Sequence, residues 1–253
     1  MLKVLILGGT TEASALATLL AKHGIPAILS YAGRTRNPQG QPVPVRVGGF
    51  GGATGLAQVL RDQGFTHLVD ATHPFAAQIS ANAIAASPEA GVPLLALTRP
   101  AWQAQPGDRW SHVNDLVGAV DALAGPPRRV FLALGRMHVG AFALQPQHHY
   151  VLRFVDRPET PPSLPHHALI VDRGPFSVAG DRALLQEHGV DWVVCKNAGG
   201  GGAEAKLIAA RELGVPVLMI ARPPIAPRNE VHDPAAVLDW LNHHGTIASD
   251  RGV

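Results

Sequence analysis

Short apolar runs alternate with helix-like segments along most of this chain, and this alternation restricts the possible folds more than any other feature of the sequence. The apolar run Leu2–Leu7 leads into the turn Gly8-Gly9-Thr10-Thr11, and a helical segment, Glu12–His23, follows it. The same order of strand, turn and helix recurs as far as residue 220. Strands that alternate with helices form parallel sheets through right-handed crossovers. The sequence therefore predicts an α/β fold with mainly parallel sheets.

The remaining elements follow from the positions of apolar runs, glycines and prolines. We predict strands over residues 26–30, 43–47, 67–70, 92–97, 130–134, 150–155, 168–172, 191–195 and 215–220. We predict helices over residues 53–63, 76–86, 114–124, 136–144, 180–188 and 203–213. The glycine and prolines at 125–127 interrupt the pattern. This interruption predicts an N-terminal α/β domain over 1–125 and a C-terminal α/β domain over 126–253.

Two stretches of the chain repeat the same pattern. Residues 63–70 parallel residues 188–195, and each stretch is followed by Gly-Val-Pro, a strand and an Arg-Pro pair, at 99–100 and 222–223. Chance similarity between α/β units is the alternative explanation. A true repeat predicts two Rossmann-like domains with a cleft between them, where a ligand commonly binds.

The composition excludes several classes of function. Hydrophobic residues make up 46% of the chain, charged residues 16%, and the net charge is +2, which is too small to indicate nucleic-acid binding. The N-terminus lacks a signal-peptide pattern, and no apolar run is long enough to span a membrane. We therefore expect a cytoplasmic protein that binds neither nucleic acid nor membrane. The sequence leaves a monomer and a small homo-oligomer equally open.

Metal binding is not predicted. The single cysteine, Cys195, excludes a disulfide within the chain and a cysteine cluster, and the 13 histidines show no His-Glu-x-x-His spacing. The adjacent pairs 148–149, 166–167 and 243–244 are interpreted as surface histidines, and Cys195 as a buried residue at the end of a strand.

The turn after the first strand predicts a dinucleotide site. Glycines there let backbone N–H groups and a helix N-terminus approach a diphosphate. The match to G-x-G-x-x-G is partial, because Thr10 and Ala13 replace the later glycines. An ordinary strand–helix turn is the alternative. The candidate residues are Gly8, Gly9, Thr10, Thr11 and Glu12.

The end of the second strand indicates which dinucleotide would bind. Proteins that bind NAD commonly place an acidic residue here to contact the ribose hydroxyls. The stretch 30–36 contains no acid but has two arginines, Arg34 and Arg36, which favour a ribose phosphate. A solvated basic loop is the alternative. We predict NADPH as the cofactor, with Ser30, Tyr31, Gly33 and Arg34 among its contacts.

A third candidate segment, residues 70–75, follows another predicted strand. The carboxyl ends of strands in open α/β sheets face the ligand, so Thr72, His73 and Pro74 are predicted to contact the cofactor. His73 is also a candidate proton donor, although a lone loop histidine is more often structural. No Tyr-x-x-x-Lys is present, so the proton relay of short-chain dehydrogenases is missing.

The second half carries three clusters at predicted strand ends. They are Gly135-Arg136, the stretch 172–177, and the run Lys196-Asn-Ala-Gly-Gly-Gly-Gly202, with Lys206 in the next helix. The glycine run does not have the order of a Walker P-loop. A mobile surface loop is the alternative.

Four stretches taken together make the chain resemble the precorrin-6A and cobalt-precorrin-6A reductase family over nearly its whole length. These are 6–13 (ILGGTTEA), 69–76 (VDATHPFA), 174–177 (GPFS), and 196–206 (KNAGGGGAEAK) with the Arg-Pro at 222–223. Ala198 departs from the serine expected in the family, which weakens any role for a hydroxyl there. The resemblance implies reduction of precorrin-6A to precorrin-6B in cobalamin (vitamin B12) biosynthesis, by hydride transfer from NADPH and protonation. It also implies an N-terminal dinucleotide-binding domain and a C-terminal substrate-binding domain.

The implied substrate is a tetrapyrrole with several carboxylates, which arginine and lysine bind through charge-assisted hydrogen bonds. The predicted substrate-binding residues are Arg99, Arg136, Arg153, Arg173, Gly174, Ser177, Lys196, Asn197, Gly200, Lys206 and Arg222. His73 and Lys196 are the candidate catalytic proton donors. Two alternatives remain: another NADP-dependent reductase of an anionic substrate, and a non-enzymatic protein that senses NADP(H).

Overall fold

The computed structural model describes residues 2–32 and 40–246, and it contains two compact units. Unit 1 comprises Met1–Arg99 and Pro224–Val253, as far as they are described, and unit 2 comprises Pro100–Pro223. Within the described residues, each unit contains one sheet of six parallel strands. The α/β class and the parallel sheets are confirmed.

The strands and helices are as follows. The strands are β1 Val4–Leu7, β2 Ala27–Tyr31, β3 Val45–Val47, β4 His67–Asp70, β5 Leu94–Leu97, β6 Trp110–Val113, β7 Arg129–Ala133, β8 His149–Phe154, β9 His167–Val171, β10 Trp192–Lys196, β11 Val217–Ile220 and β12 Glu230–Val231. The helices are α1 Thr11–Lys22, α2 Gly52–Asp62, α3 Ala77–Ala90, α4 Leu116–Asp121, α5 Arg136–Val139, α6 Val178–Glu187, α7 Ala205–Leu213 and α8 Pro234–Thr246. Short 3-10 turns cover Gly140–Leu144 and Gly201–Ala203.

The sheet of unit 1 has the strand order β12-β5-β4-β1-β2-β3. Leu7 at the end of β1 lies opposite Ser30 on β2 and Asp70 on β4. Because parallel strands end at the same edge, this register brings the turn after β1, the end of β2 and the loop after β4 together.

Helices cover both faces of this sheet. Leu16 of α1 and Val237 of α8 are fully buried on one face, and Leu56 of α2 and Ala83 of α3 are fully buried on the other. β1 is buried throughout, as expected for a central strand between two helical layers.

The sheet of unit 2 has the order β6-β11-β10-β7-β8-β9. Its core includes the fully buried Phe131, Val193 and Met219, against which Leu185 of α6 and Leu207 of α7 pack. The two sheets share one plan, because β4 and β10 hold the same place in the two orders, and so do β5 and β11. This agreement supports the internal repeat, since residues 63–70 lead into β4 and residues 188–195 lead into β10.

The two halves exchange their last strand. β6 follows β5 along the chain but pairs with β11 in unit 2, and β12 follows β11 but pairs with β5 in unit 1. The boundaries between the compact units therefore lie at residues 99–100 and 223–224, whereas the sequence pattern predicts a single boundary at 125. The predicted and observed boundaries differ because the interruption at 125–127 separates the two repeats of the sequence. The exchanged strands, by contrast, determine which residues pack together in each unit.

Several local features differ from prediction. β6, β12 and α8 were not predicted, and the predicted helix 136–144 is the short α5 followed by a 3-10 turn. His148 is fully buried rather than on the surface: its Nδ1 accepts from the backbone N–H of Arg128, and its Nε2 lies 2.7 Å from the carbonyl oxygen of Leu123.

No helix within residues 2–32 and 40–246 combines the length and apolar character needed to cross a bilayer.

Candidate active site

The turn between β1 and α1 is held in a defined shape by hydrogen bonds. The hydroxyl of Thr10 caps α1 by accepting from Ala13 N at 3.1 Å, and it donates to the carbonyl oxygen of Ala71 at 2.7 Å. Gly8 N donates to Ser30 O at 2.9 Å, and a Cβ at Gly8 would lie 2.5 Å from the side chain of Leu29. The predicted cofactor residues Gly8, Gly9 and Thr10 therefore form a tight turn at the start of a 12-residue helix.

Gly9 makes this turn possible. Its φ is 118°, in the region that favours glycine, and a Cβ there would have no heavy atom within 4 Å. The open space beside the backbone, together with the N-terminus of α1, is the arrangement that accommodates a diphosphate.

Charges at the start of α1 are balanced. Glu12 Oε2 accepts from Thr11 Oγ1 at 3.1 Å and lies 3.5 Å from Arg99 Nε. Arg99, which was predicted to bind substrate, thus belongs to unit 1 beside the glycine turn. Its positive charge offsets Glu12, so the carboxylate opposes a bound anion less strongly.

Ser30 and Tyr31 end β2 at the same edge. Ser30 is buried, and its hydroxyl accepts from Arg46 Nη1 at 3.1 Å. Arg46, on β3, also donates to the carbonyl oxygen of Gly48 at 3.1 Å. Its guanidinium carbon lies 3.9 Å from the centre of the Phe50 ring, over which it stacks. Sequence reasoning missed Arg46, although the pairing of β2 with β3 puts it directly opposite Ser30.

Two predicted cofactor residues, Gly33 and Arg34, lie outside the described residues, as does Arg36. Their predicted contacts with the ribose phosphate therefore stay predictions.

The loop after β4 is anchored by Asp70. Thr72 donates to Asp70 Oδ1 from its backbone N at 3.1 Å and from its hydroxyl at 2.6 Å. His73 Nδ1 accepts from Phe75 N at 3.2 Å, so the neutral ring carries its proton on Nε2. Pro74, also a predicted cofactor contact, is buried within the same loop. The loop therefore presents His73 with one defined tautomer.

In unit 2, Lys196 ends β10 and its Nζ lies 2.9 Å from His138 Nε2. Because an ammonium only donates, the neutral imidazole accepts at Nε2 and carries its proton on Nδ1. His138 and the exposed Arg136 both lie on α5, immediately after Gly135. Sequence reasoning missed His138, whose separation from Lys196 along the chain gives no local signal.

The glycine loop after β10 is clamped by side chains. Asn197 Oδ1 accepts from Trp102 N at 2.8 Å and Asn197 Nδ2 donates to Trp102 O at 3.1 Å, while Trp102 Nε1 donates to Gly200 O at 3.0 Å. Arg222 donates to the carbonyl oxygens of Asn197 and Ala198 at 2.9 and 3.2 Å. Asn197 and Arg222, both predicted substrate ligands, therefore hold the shape of the loop.

Two further predicted substrate ligands are buried. Arg153 forms an ion pair with Asp181 and stacks over Phe176, with its guanidinium carbon 3.5 Å from the ring centre. Lys206 donates to Ala203 O, and its Nζ lies 4.8 Å from the centre of the Trp102 ring. Burial lowers the pKa of the Lys206 ammonium.

The segment after β9 completes this part of unit 2. Ser177 caps α6, its hydroxyl accepting from Gly180 N at 3.1 Å, and Gly174 begins the same turn. Arg173 is exposed and lies 3.4 Å from Asp156. Of the predicted substrate arginines, Arg136 and Arg173 are thus the exposed ones, and neither is enclosed by a buried ion pair.

Comparison with known proteins identifies the family. The family model described as precorrin-6x reductase CbiJ/CobK matches residues 3–242. The chain belongs to this family. It is 54% identical to the precorrin-6A reductase of Rhodobacter capsulatus, with all of both chains covered, and 48% identical to that of Rhodococcus erythropolis, covering 95% of this chain and 98% of the relative.

Relatives named cobalt-precorrin-6A reductase are less similar to this chain. The cobalt-precorrin-6A reductase of Priestia megaterium is 31% identical, covering 88% of this chain and 91% of the relative. A solved structure of CobK precorrin-6A reductase superposes with a TM-score of 0.93 at 55% identity, covering 97% of this chain and 98% of that one. The family resemblance stated from sequence is confirmed, and membership of a reductase family implies a nicotinamide cofactor.

Proposed function

We propose that this protein reduces precorrin-6A to precorrin-6B in cobalamin biosynthesis, using NADPH. The observation that carries the proposal is the register of unit 1, which brings the glycine turn, the end of β2 and the Asp70–Phe75 loop to one edge of the sheet. That edge is where open α/β sheets bind dinucleotides. A cytoplasmic monomer or small homo-oligomer is the form we propose for the enzyme.

The residues at this edge fit a dinucleotide. The turn at Gly8 and Gly9 leaves room for a diphosphate next to the N-terminus of α1, and the Arg99 charge beside Glu12 limits repulsion of that anion. When bound, the nicotinamide would supply the hydride. What the chain contributes is binding, orientation and charge, which are the usual tasks of a protein that uses such a cofactor.

The choice of NADPH over NADH rests on charge at the end of β2. Neither Ser30 nor Tyr31 can accept two ribose hydroxyls as a carboxylate would, and Arg34 and Arg36 follow them in the sequence. Arg46, bonded to Ser30 Oγ, adds a further positive charge at this strand end. A ribose phosphate is therefore the better partner.

The carboxylates of the substrate are assigned to the exposed cations of unit 2. Arg136 and Arg173 each follow a strand of the second sheet, so both residues come after the carboxyl end of a strand. The other predicted ligands act differently in this proposal: Asn197 and Arg222 shape the glycine loop, whose backbone N–H groups remain candidates for a carboxylate.

Protonation of the reduced macrocycle is assigned to His73 or Lys196. The Nε2–H of His73 is the donor defined by its loop, and the Lys196 ammonium donates towards His138. Both groups can give up a proton without a metal or a covalent intermediate.

The deciding experiment follows NADPH oxidation by the purified protein at the nicotinamide and macrocycle absorption bands. Precorrin-6A and cobalt-precorrin-6A are tested separately as substrates, and NADH replaces NADPH in a control. We propose that the enzyme uses the metal-free precorrin-6A rather than cobalt-precorrin-6A, because the relatives at 54% and 48% identity are named precorrin-6A reductases. Coupled change at both bands with NADPH and precorrin-6A supports the proposal. NADPH binding without oxidation of any tetrapyrrole would favour the NADP(H)-sensing alternative or a different anionic substrate.

A further inference from the structure

The carboxylate of Asp70 connects separate parts of unit 1 at the carboxyl edge of its sheet. Its Oδ1 accepts from the N–H and hydroxyl of Thr72, and its Oδ2 accepts from Ser80 Oγ at 2.6 Å and forms an ion pair with Arg228. Asp70 is 2% exposed. A buried carboxylate bonded in this way holds the loop after β4, helix α3 and the segment before β12 in one arrangement.

Arg228 is itself fixed by its surroundings. Only 8% of its side chain is exposed, and its Nε donates to Glu230 Oε1 at 3.1 Å. The backbone next to it is tied to β5, since Ala96 N donates to the carbonyl oxygen of Asn229 at 2.9 Å. Arg228 is 158 residues from Asp70 along the chain, so the strand exchange is what brings the two together.

The effect of this ion pair extends to the glycine turn. Ala71, next to Asp70, donates its N–H to Leu7 O at 2.9 Å, and its carbonyl oxygen accepts from Thr10 Oγ1 at 2.7 Å. Thr10 in turn caps α1. A shift of Asp70 would therefore move both the Thr72–Phe75 loop and the turn proposed to hold the diphosphate.

Charge gives Arg228 a second effect. Without the guanidinium, Asp70 would be a buried negative charge at the edge where an anionic cofactor is proposed to bind. Charges interact strongly where water is excluded, so an unpaired carboxylate there would oppose binding of phosphates.

We infer that Arg228 is a positioning residue for the dinucleotide: through Asp70 it holds the Thr72–Phe75 loop and the glycine turn, and it cancels the carboxylate charge at that edge. The inference rests on the proposed use of a nicotinamide dinucleotide. Arg228 is not a catalytic residue, because it acts through Asp70.

The test is the affinity of the full-length protein for NADPH, measured by titration of the nicotinamide fluorescence, together with kcat and the KM of each substrate. Arg228→Gln should weaken NADPH binding about tenfold or more, because it removes a charged hydrogen bond and leaves the carboxylate uncompensated. The KM for the tetrapyrrole should not change. The double variant D70N/R228Q, which removes both charges, should recover the part of the lost NADPH affinity that the uncompensated carboxylate causes.

Three further variants separate this role from loss of stability. Arg211→Gln breaks an ion pair with Asp108 in unit 2, where Nε and Oδ1 are 2.9 Å apart, and it should leave NADPH affinity unchanged. Glu230→Gln removes the charge of the other partner of Arg228 but keeps an oxygen that can accept from its Nε, so NADPH affinity should again stay unchanged. Ser80→Ala, which removes a bond to Asp70 without touching the loop, should have a smaller effect than Arg228→Gln.

Each outcome decides the matter. Equal NADPH affinity in wild type and R228Q overturns the inference, and so does a loss in R228Q that D70N does not relieve. If R228Q does not fold, Arg228→Lys takes its place in the test, because this variant keeps the charge but loses the planar guanidinium. An NADPH affinity of R228K equal to that of wild type would then overturn the inference. Failure of the wild type to bind NADPH or NADH would instead overturn the proposed function.

Discussion

Arginine residues in this protein differ in what they already contact, and this decides what they can bind. Arg153 is enclosed by Asp181 and aromatic rings, and Arg222 is bonded to loop carbonyl oxygens, whereas Arg136 is exposed. The sequence shows all of them at strand or motif ends and so predicts one role for all. Their partners come from distant parts of the chain, which is why sequence reasoning could not separate the structural arginines from the exposed ones.

Arg153→Ala is expected to destabilise unit 2 by about 3–5 kcal/mol, because it leaves Asp181 buried and unpaired. The measurement is urea unfolding followed by tryptophan fluorescence. Arg173→Ala is the matched control: its pair with Asp156 is exposed, so its loss should cost about 0–1 kcal/mol. Equal effects of the two substitutions would show that the Arg153 pair is not a structural anchor.

Arg34→Ala is expected to weaken NADPH binding by about tenfold or more and NADH binding little, because only NADPH carries the ribose phosphate that this guanidinium is proposed to contact. Binding of both dinucleotides is measured by fluorescence titration. Arg61→Ala, on the exposed surface of α2, is the control. Equal losses for NADPH and NADH would transfer the proposed role to Arg36 or Arg46.

His73→Ala is expected to lower kcat by about 100-fold if His73 is the proton donor, since general acid catalysis contributes effects of this size. NADPH affinity should change little, because the loop remains anchored through Thr72 and Asp70. Single-turnover kinetics separates the chemical step from release of product. Unchanged turnover would leave Lys196 as the candidate.

At the level of elements, the glycine loop after β10 illustrates how a flexible sequence acquires a fixed structure. The run of glycines alone is compatible with a mobile loop, but Trp102 and Arg222 donate to its carbonyl oxygens, and the side chain of Asn197, at its start, bonds to the backbone of Trp102. Gly199 is closely enclosed: a Cβ there would lie 2.1 Å from the carbonyl oxygen of Pro100, and its φ is 70°. The clamp, rather than the glycines themselves, gives the loop its shape.

Gly199→Ala is therefore expected to destabilise the protein by more than about 1 kcal/mol and to displace the loop, because both the backbone angle and the space are unsuitable for a side chain. Gly202→Ala is the matched control, since a Cβ there meets no heavy atom within 4 Å. Thermal unfolding and the KM for precorrin-6A are the measurements. Similar results for the two variants would contradict an enclosed Gly199.

The accuracy of the predicted elements depended on burial. Central strands such as β1 and β10 are continuous apolar runs, and the sequence places them within two residues of their observed bounds. β6 reads Trp-Ser-His-Val at a sheet edge, and β12 has two residues, so neither carries an apolar run. Their pairing depends on the neighbouring strand, which local sequence does not reveal.

At the scale of the whole molecule, the strand exchange means that a cut at the repeat boundary does not yield a complete sheet. A fragment of residues 1–125 lacks β12 and α8, which cover β5 and the α1 face of unit 1. We expect this fragment to unfold without a cooperative transition, whereas residues 1–99 joined by a flexible linker to 224–246 should unfold cooperatively. Circular dichroism during urea titration compares them. Cooperative unfolding of 1–125 would restore the single boundary near 125.

The exchange also sets the order in which the protein can be completed during translation. A ribosome finishes every residue of unit 2 before β12 and α8 emerge, so the unit whose synthesis begins first is completed last. Until then the outer edge of β5 has no neighbouring strand, and such edges promote aggregation of nascent chains. A stop codon shortly after residue 223 would therefore leave unit 2 complete, whereas unit 1, whose synthesis began first, would lack β12 and α8.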